Sequence, residues 1–287
     1  MSIDNIEQAR AIGARARVVK TPVGDGFMVW HVWGPPTGKP LILLHGGSGS
    51  WNHWVRNVEF LAARGFHVIV ADMPSFGDSA RVPHGEDADA LPPHLELGAS
   101  LMLGRQRATV VGFSFGSLTA GLWMKQSPER FAGIVFVGGP SLTERSQVRV
   151  KMESWYHVPP GPERERIIAA NLRALMIGRD DNVHEFSLAL HTENLLRDRM
   201  RKRRMSVHPW LVDVVPKIEV PVAGIYGVLD AAFPDNRLDG IEASLRRAPL
   251  FHSMTRIPDV GHWVQFEDAP AFNAALAHFL DTAALKW

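Results

Sequence analysis

Gly112-Phe113-Ser114-Phe115-Gly116 is the stretch on which the reading of this chain turns. Ahead of it runs Ala108-Thr109-Val110-Val111, short, apolar and β-branched, the pattern of a strand buried on both faces. After it, Ser117 to Lys125 carries small residues on one side and apolar ones at helical spacing. Strand, glycine-flanked serine and helix together form a nucleophile-elbow pattern. The serine sits on a sharp, strained turn, and the glycines let the two backbones approach where a Cβ would clash. A helix N-terminus behind the serine favours negative charge developing there. A plain Gly/Ser turn would use the same five residues, so the rest of the chain has to decide.

Upstream, Val18-Val19 and Met28 to Trp33 read as paired strands joined by a turn at Gly24-Asp25-Gly26, after a loose leading helix up to about Ala16. Leu41 to Leu44 is a buried strand that ends in His45-Gly46-Gly47-Ser48-Gly49-Ser50. A helix from about Trp51 to Ala63 should follow, with Ser50 as its N-cap. His67 to Ala71 is a further strand, ending in the turn-rich loop Asp72 to Ser79, and Leu95 to Leu103 reads as the helix before the elbow. Ile134 to Val137 is the sixth strand. From Ser141 to Pro209 no strand pattern appears, only helix-like segments rich in Arg, Met and Leu. Alternation resumes with a strand at Val222 to Gly227, a helix near Arg237 to Arg246, a strand near Ser253 to Ile257 and a closing helix from Ala269 to Leu280. Alternating strands and helices predict an α/β fold with a mostly parallel, doubly wound sheet covered on both faces. The expected division is a core over residues 1–140, a helical cap over 141–209 inserted after the sixth strand, and the rest of the core over 210–287.

Composition narrows the function classes. A net charge of +1 argues against general affinity for nucleic acid or membrane. The absence of cysteine removes disulfides, thiolate metal sites and cysteine nucleophiles. The first residues, Met1 to Gln8, lack the basic start and apolar core of a signal peptide, and no apolar run reaches membrane-spanning length, so a cytoplasmic location is expected. The Gly38-Lys39 pair precedes proline and is no phosphate-binding loop.

A serine hydroxyl needs a base, and the base needs an orienting carboxylate. Asp230 follows the strand at Val222 to Gly227, and Asp259-Val260-Gly261-His262 follows the last strand. The order Ser114, Asp230, His262 is the one expected of a G-x-S-x-G nucleophile. Asp259, Asp235 and Asp213 are the competing carboxylates, with Asp259 read as a turn residue. His45 reads as a buttress for its loop, Asp72 and Asp78 as stabilisers of theirs, and His84, His94 and His208 as surface or cap residues without metal-ligand spacing.

With these pieces in order, the chain resembles the α/β-hydrolase family over nearly its whole length. The matching segments are His45-Gly46-Gly47, Asp72 to Ser79, the elbow, Gly227-Val228-Leu229-Asp230 with Pro234, and Gly261-His262. The resemblance implies Ser114 as nucleophile, His262 as general base and acid, and Asp230 as the residue that holds the imidazole. It implies an oxyanion hole from the backbone N–H of Phe115 and of Gly47, with Ser48 as the alternative to Gly47. A metal or organic cofactor is not expected.

A narrower similarity joins His45 to Ser50, Gly261-His262-Trp263-Val264-Gln265-Phe266-Glu267 and Phe272-Asn273 to the carbon–carbon bond hydrolases of aromatic ring-fission products. Phe113 stands where that family places asparagine, and Phe115-Gly116-Ser117 where it places Met-Gly-Gly. The leading expectation is therefore a serine hydrolase of small to medium apolar or aromatic carboxylic esters. Hydrolysis of 2-hydroxy-6-oxo-dienoates is the alternative, and a ligand receptor on the same fold the third reading. Ser48, Phe113, Trp155, Trp210 and Trp263 are expected to line the pocket. The charge run Arg197 to Arg204 reads as a solvated face of a cap helix, or else turns one arginine inward to a substrate carboxylate. A small-molecule substrate is the expected partner, and self-association into a homo-oligomer is compatible with the sequence.

Overall fold

The structure, a computed structural model, describes residues 5–144, 148, 150–234 and 237–287. Its centre is an eight-stranded sheet: β1 (Arg17–Val23), β2 (Gly26–Trp33), β3 (Pro40–Leu44), β4 (His67–Asp72), β5 (Ala108–Phe113), β6 (Phe131–Val137), β7 (Val222–Gly227) and β8 (Phe251–Ile257). The strand order is β1-β2-β4-β3-β5-β6-β7-β8. β1 pairs with β2, and β2 with β4, in antiparallel register; the other five pairings are parallel. Asp235 and residues 1–4, 145–147, 149 and 236 lie outside the described residues.

Helices cover the sheet: α1 (Ile6–Ala14), α2 (Val58–Ala63), α3 (Pro92–Leu103), α4 (Phe115–Gln126), α5 (Pro162–Asn171), α6 (Glu185–Leu196), α7 (Arg237–Leu245), α8 (Val264–Glu267) and α9 (Ala269–Thr282). The two-residue period of a strand divides the central side chains between two cores. Ile42 and Leu44 of β3, with Ile69 and Val110, face one layer; Leu41 and Leu43, with Val68 and Val111, face the other. A sheet buried on both faces explains the unbroken apolar runs of β3 to β6.

The stretch read as one helix from Trp51 to Ala63 is divided in two. Trp51–Trp54 is a 3-10 turn, and α2 begins only at Val58. Asn57 interrupts the run: its Nδ2 donates to the Gln265 carbonyl at 3.1 Å and to Asn273 Oδ1 at 3.0 Å, fixing this corner to α9. Among the described residues between β6 and β7 there is no strand, only α5, a π-helical turn at Leu172–Met176, α6 and short 3-10 turns. The charge run is not a helix face, because α6 ends at Leu196 and Arg197 to Arg204 fold back toward the core.

The sheet order also sets where a ligand can sit. β3 has β4 on one side and β5 on the other, so the direction of winding reverses between β3 and β5. The loops leaving the C-terminal ends of strands at such a reversal diverge to opposite faces and leave a crevice. His45 to Ser50 leaves β3 there, and Ser114 leaves β5.

Candidate active site

Ser114 has φ 51° and ψ −114°, a backbone conformation that a residue with a side chain adopts only under constraint. Two glycines impose it. A Cβ on Gly116 would stand 2.5 Å from the carbonyl oxygens of Leu44 and His45, and one on Gly112 would collide with the Gly116 carbonyl. Buried α4 blocks retreat from behind, since every residue from Phe115 to Met124 is buried. The serine is thus held out over the crevice at the N-terminus of α4.

The loops after β7 and β8 bring its partners. Gly227 permits their contact, because a Cβ there would overlap the carbonyls of Val260 and Gly261. His262 Nε2 lies 2.8 Å from Ser114 Oγ, and His262 Nδ1 lies 2.7 Å from Asp230 Oδ2. Asp230 Oδ1 also accepts the N–H of Ala232 at 2.9 Å. Asp230 and His262 are both buried, so no water competes for their contact. Asp259 is exposed at φ 56°, a turn residue remote from this role. Asp213 is exposed, and among the described residues the carboxylate bonded to His262 is that of Asp230.

Two amides remain for an incoming negative charge. Among the described residues no group accepts the N–H of Phe115 or of Gly47, and both residues line the cavity beside Ser114. The neighbouring Gly46 N–H is already used, donating to His53 Nδ1 at 3.2 Å. His45 buttresses the same loop. Its Nε2 accepts the Met73 N–H at 3.0 Å while Nδ1 donates to the Gly46 carbonyl at 2.7 Å, and burial lowers its pKa to about 4, keeping it neutral. Asp72 Oδ1 accepts from Trp51 N–H and Oδ2 from Asp78 N–H, a structural carboxylate.

The cavity over Ser114 has a volume of about 530 Å³. Phe113 and Phe115 line its floor; Trp155, Met176, His191 and Leu195 close it from the helical stretch. Trp210 and Trp263, expected there, are elsewhere. Trp263 is fully buried, stacked on Phe266 at 4.2 Å, with Nε1 donating to the His53 carbonyl at 3.2 Å. Trp210 is half-exposed because its neighbour Leu211 takes the inward position, with its N–H on the Ser141 carbonyl. Ser48 borders the cavity, but its hydroxyl is engaged, donating to Asp198 Oδ2 at 2.6 Å and accepting from Arg203 Nη2 at 3.1 Å.

The charge run contributes more than a solvated face. Arg197 pairs with Asp78 and Glu193, and Arg199 caps carbonyls of the loop after β4. Arg203 reaches the cavity, where Asp198 neutralises it at 2.9 Å, and its guanidinium lies 5.3 Å over the Phe115 ring. Arg201 also borders the cavity, 5.5 Å over Trp155, with no carboxylate in ion-pair reach among the described residues. Asp198, His53 and His191 had no motif to mark them in the sequence. Glu267 joins the same corner: its carboxylate accepts the N–H of Gly178 at 2.9 Å and of Gly261 at 2.6 Å, so one side chain holds the helical stretch to the His262 loop.

Comparison with known proteins agrees with this architecture. The family profile described as alpha/beta hydrolase fold matches residues 39–173. A 2-hydroxy-6-oxononadienedioate/2-hydroxy-6-oxononatrienedioate hydrolase of Paraburkholderia phymatum is 28% identical over 266 residues, covering 84% of this chain and 87% of the relative. A 2-hydroxy-6-oxo-6-phenylhexa-2,4-dienoate hydrolase of Burkholderia cepacia is 27% identical, covering 85% and 88%. Among solved structures, an esterase of Rhodococcus superposes with a TM-score of 0.76 at 21% identity, over 93% of this chain and 99% of the other. A carboxylesterase of Bacillus subtilis gives 0.76 at 16%, over 96% and 95%. No helix among the described residues is long and apolar enough to cross a membrane. With sheet order, profile match and structural likeness in accord, the chain has the α/β-hydrolase fold.

Proposed function

We propose that this hydrolase cleaves small to medium, largely apolar carboxylic esters through an acyl-enzyme on Ser114. The observation that carries the reading is the hydrogen-bonded series Ser114–His262–Asp230 at the floor of an aromatic-lined cavity. Ser114 Oγ attacks the ester carbonyl carbon while its proton passes to His262 Nε2. Asp230 holds Nδ1–H, so Nε2 is the free acceptor, and it stabilises the imidazolium that forms. The carbonyl oxygen, now negative, meets the N–H groups of Phe115 and Gly47, donors worth about 3 kcal/mol each in such chemistry. Collapse breaks the bond to the alcohol oxygen, which leaves with the proton from His262. Water, deprotonated by the same nitrogen, then attacks the acyl carbon and releases the acid, restoring Ser114. Residues 141–209 act as a cap that closes the cavity, and no metal or organic cofactor enters this sequence of steps.

A second reading has its own support. Relatives named as dienoate hydrolases act on substrates that carry a carboxylate, and Arg201, whose Nε donates to the Asp198 carbonyl at 3.0 Å, offers at the cavity a guanidinium with no carboxylate partner among the described residues. Against it, Phe113 puts an apolar ring beside the nucleophile. The deciding experiment compares kcat/KM on a short aryl ester with that on a 2-hydroxy-6-oxo-dienoate, using the wild type and Ser114→Ala. Ester preference that depends on Ser114 supports the proposal. A preference for the dienoate that collapses in Arg201→Ala replaces it with carbon–carbon bond hydrolysis.

A further inference from the structure

The amides on either side of His262 are both tied to the helical stretch, one directly and one through Glu267. The Trp263 N–H donates to the Met176 carbonyl at 2.7 Å, and the Gly261 N–H donates to Glu267 Oε2 at 2.6 Å. Glu267 Oε1 in turn accepts the Gly178 N–H at 2.9 Å, the Arg179 N–H at 3.3 Å and Asn182 Nδ2 at 3.3 Å. Between these bonds the two backbones touch, since a Cβ on Gly178 would stand 2.5 Å from the Gly261 nitrogen. Met176 ends the π-helical turn, and its residue borders the cavity while its carbonyl holds the loop.

A staple between two loops would account for the contacts with residues 178–182 alone. The bonds at 261 and 263 add something that such a staple does not need. His262 must hold Nε2 2.8 Å from Ser114 Oγ, and the residue before it is glycine, the one most free to turn its backbone. Asp230 fixes the ring at Nδ1, but a ring bonded at one nitrogen still pivots about that contact when its backbone turns. Bonding the amides before and after His262 removes that freedom, and a reacting group needs placement to within about half an ångström.

We propose that Glu267 is a positioning residue for His262, and that the cap segment 176–178 is the other half of the same clamp. Glu267 touches neither Ser114 nor the cavity; it acts through the Gly261 amide. The cap therefore does more than close the cavity. It carries part of the support of the general base, which stands in register with Ser114 only while residues 176–178 are seated on the loop. The inference rests on the reading of His262 as the general base of the ester hydrolase and deepens it.

The test compares Glu267→Gln and Gly178→Ala with the wild type on 4-nitrophenyl butyrate. Glutamine keeps the shape but turns an NH₂ toward one of the N–H groups, whereas the alanine methyl presses on Gly261 from the cap side with the carboxylate intact. Each should lower kcat about tenfold with KM within about twofold of wild type. Asn182→Ala, which removes a cap contact of Glu267 and none of Gly261, should lower the urea midpoint and leave kcat near the wild-type value. In ¹⁵N-histidine spectra recorded on the alkaline plateau of the rate, wild-type His262 should show one tautomer with its proton on Nδ1. Both kcat variants should show a mixture there, while His45, bonded at both nitrogens, keeps its signals. Should Glu267→Gln fail to fold, Gly178→Ala decides. A wild-type kcat with an unchanged His262 tautomer overturns the proposal, as does a loss confined to KM or to stability. If the wild type hydrolyses no ester, the ester reading has failed and the spectra still decide the positioning role: a mixture in the variants supports it, and an unchanged tautomer rejects it.

Discussion

Gly116→Ala adds one methyl group at the tightest point of the turn that carries Ser114. The new Cβ would stand 2.5 Å from two backbone oxygens, those of Leu44 and His45, and neither is a flexible side-chain end that could give way. Real Cβ atoms keep at least 3.0 Å from such neighbours, so the start of α4 must move by about 0.5 Å or more. α4 is packed on all sides, and the strain should cost stability by about 1–3 kcal/mol. Ser114 lies two residues away, and its 2.8 Å contact with His262 and its distance from the Phe115 and Gly47 amides shift together. A misplacement approaching 1 Å at reacting atoms costs about a hundredfold, so kcat should fall about 10–100-fold with KM little changed. The assay is steady-state hydrolysis of 4-nitrophenyl acetate alongside the urea midpoint of each protein. A variant with kcat within about threefold of wild type and an unchanged midpoint would refute the claim that these contacts hold the nucleophile.

Asp230→Asn keeps the size of the side chain but presents the wrong partner to His262 Nδ1–H; kcat on the same ester should drop by about ten-thousandfold, and a loss under about tenfold would count against the orienting role. Asp198→Ala strips Arg203 and Ser48 of their shared carboxylate, so stability should fall by about 3 kcal/mol and the double variant Asp198→Ala/Arg203→Met should recover most of it, both read from urea midpoints. His45 and His191 are held neutral by burial, each lowered from 6.5 to about 4. Between those values the unfolded chain takes up protons that the native state refuses, so stability present above pH 6.5 is lost as pH falls toward 4, by on the order of 3 kcal/mol per histidine. Urea midpoints from pH 7 down to 4.5 should therefore decline, less steeply in His191→Leu; a flat profile contradicts the burial of neutral rings.

Chemistry at strand ends was legible because the physical demands there are local. Only glycine can stand at 112, 116 and 227, where backbones nearly touch, and such positions write themselves into the sequence around Ser114 and Asp230. Apolar β-branched runs located the central strands for the same reason: burial on both faces leaves no polar positions to blur the signal. What escaped detection depended on partners far along the chain. Trp263 follows His262 directly, yet stacking on Phe266 carries it into the core, and proximity in sequence was a poor guide to the cavity. The helix expected from Trp51 to Ala63 breaks at Asn57 because that side chain bonds to Gln265 and Asn273, more than two hundred residues away. The arginine run gave charge and period, but its geometry is set by Asp78, Asp198 and Ser48 across the fold. His53 and His191 carried no motif at all, and only the fold docks α6 onto the turn that carries His53.

The account stands or falls on Ser114 as a covalent nucleophile. Intact-mass spectrometry after treatment with an alkyl fluorophosphonate, which loses fluoride as the serine oxygen bonds to phosphorus, tests it without any assumption about the natural substrate. The account predicts one adduct per chain, mapped to the peptide containing Ser114, absent in Ser114→Ala and slowed in His262→Ala, with ester turnover lost in step with labelling. Full ester turnover by a quantitatively labelled protein, or equal labelling of Ser114→Ala, would contradict it.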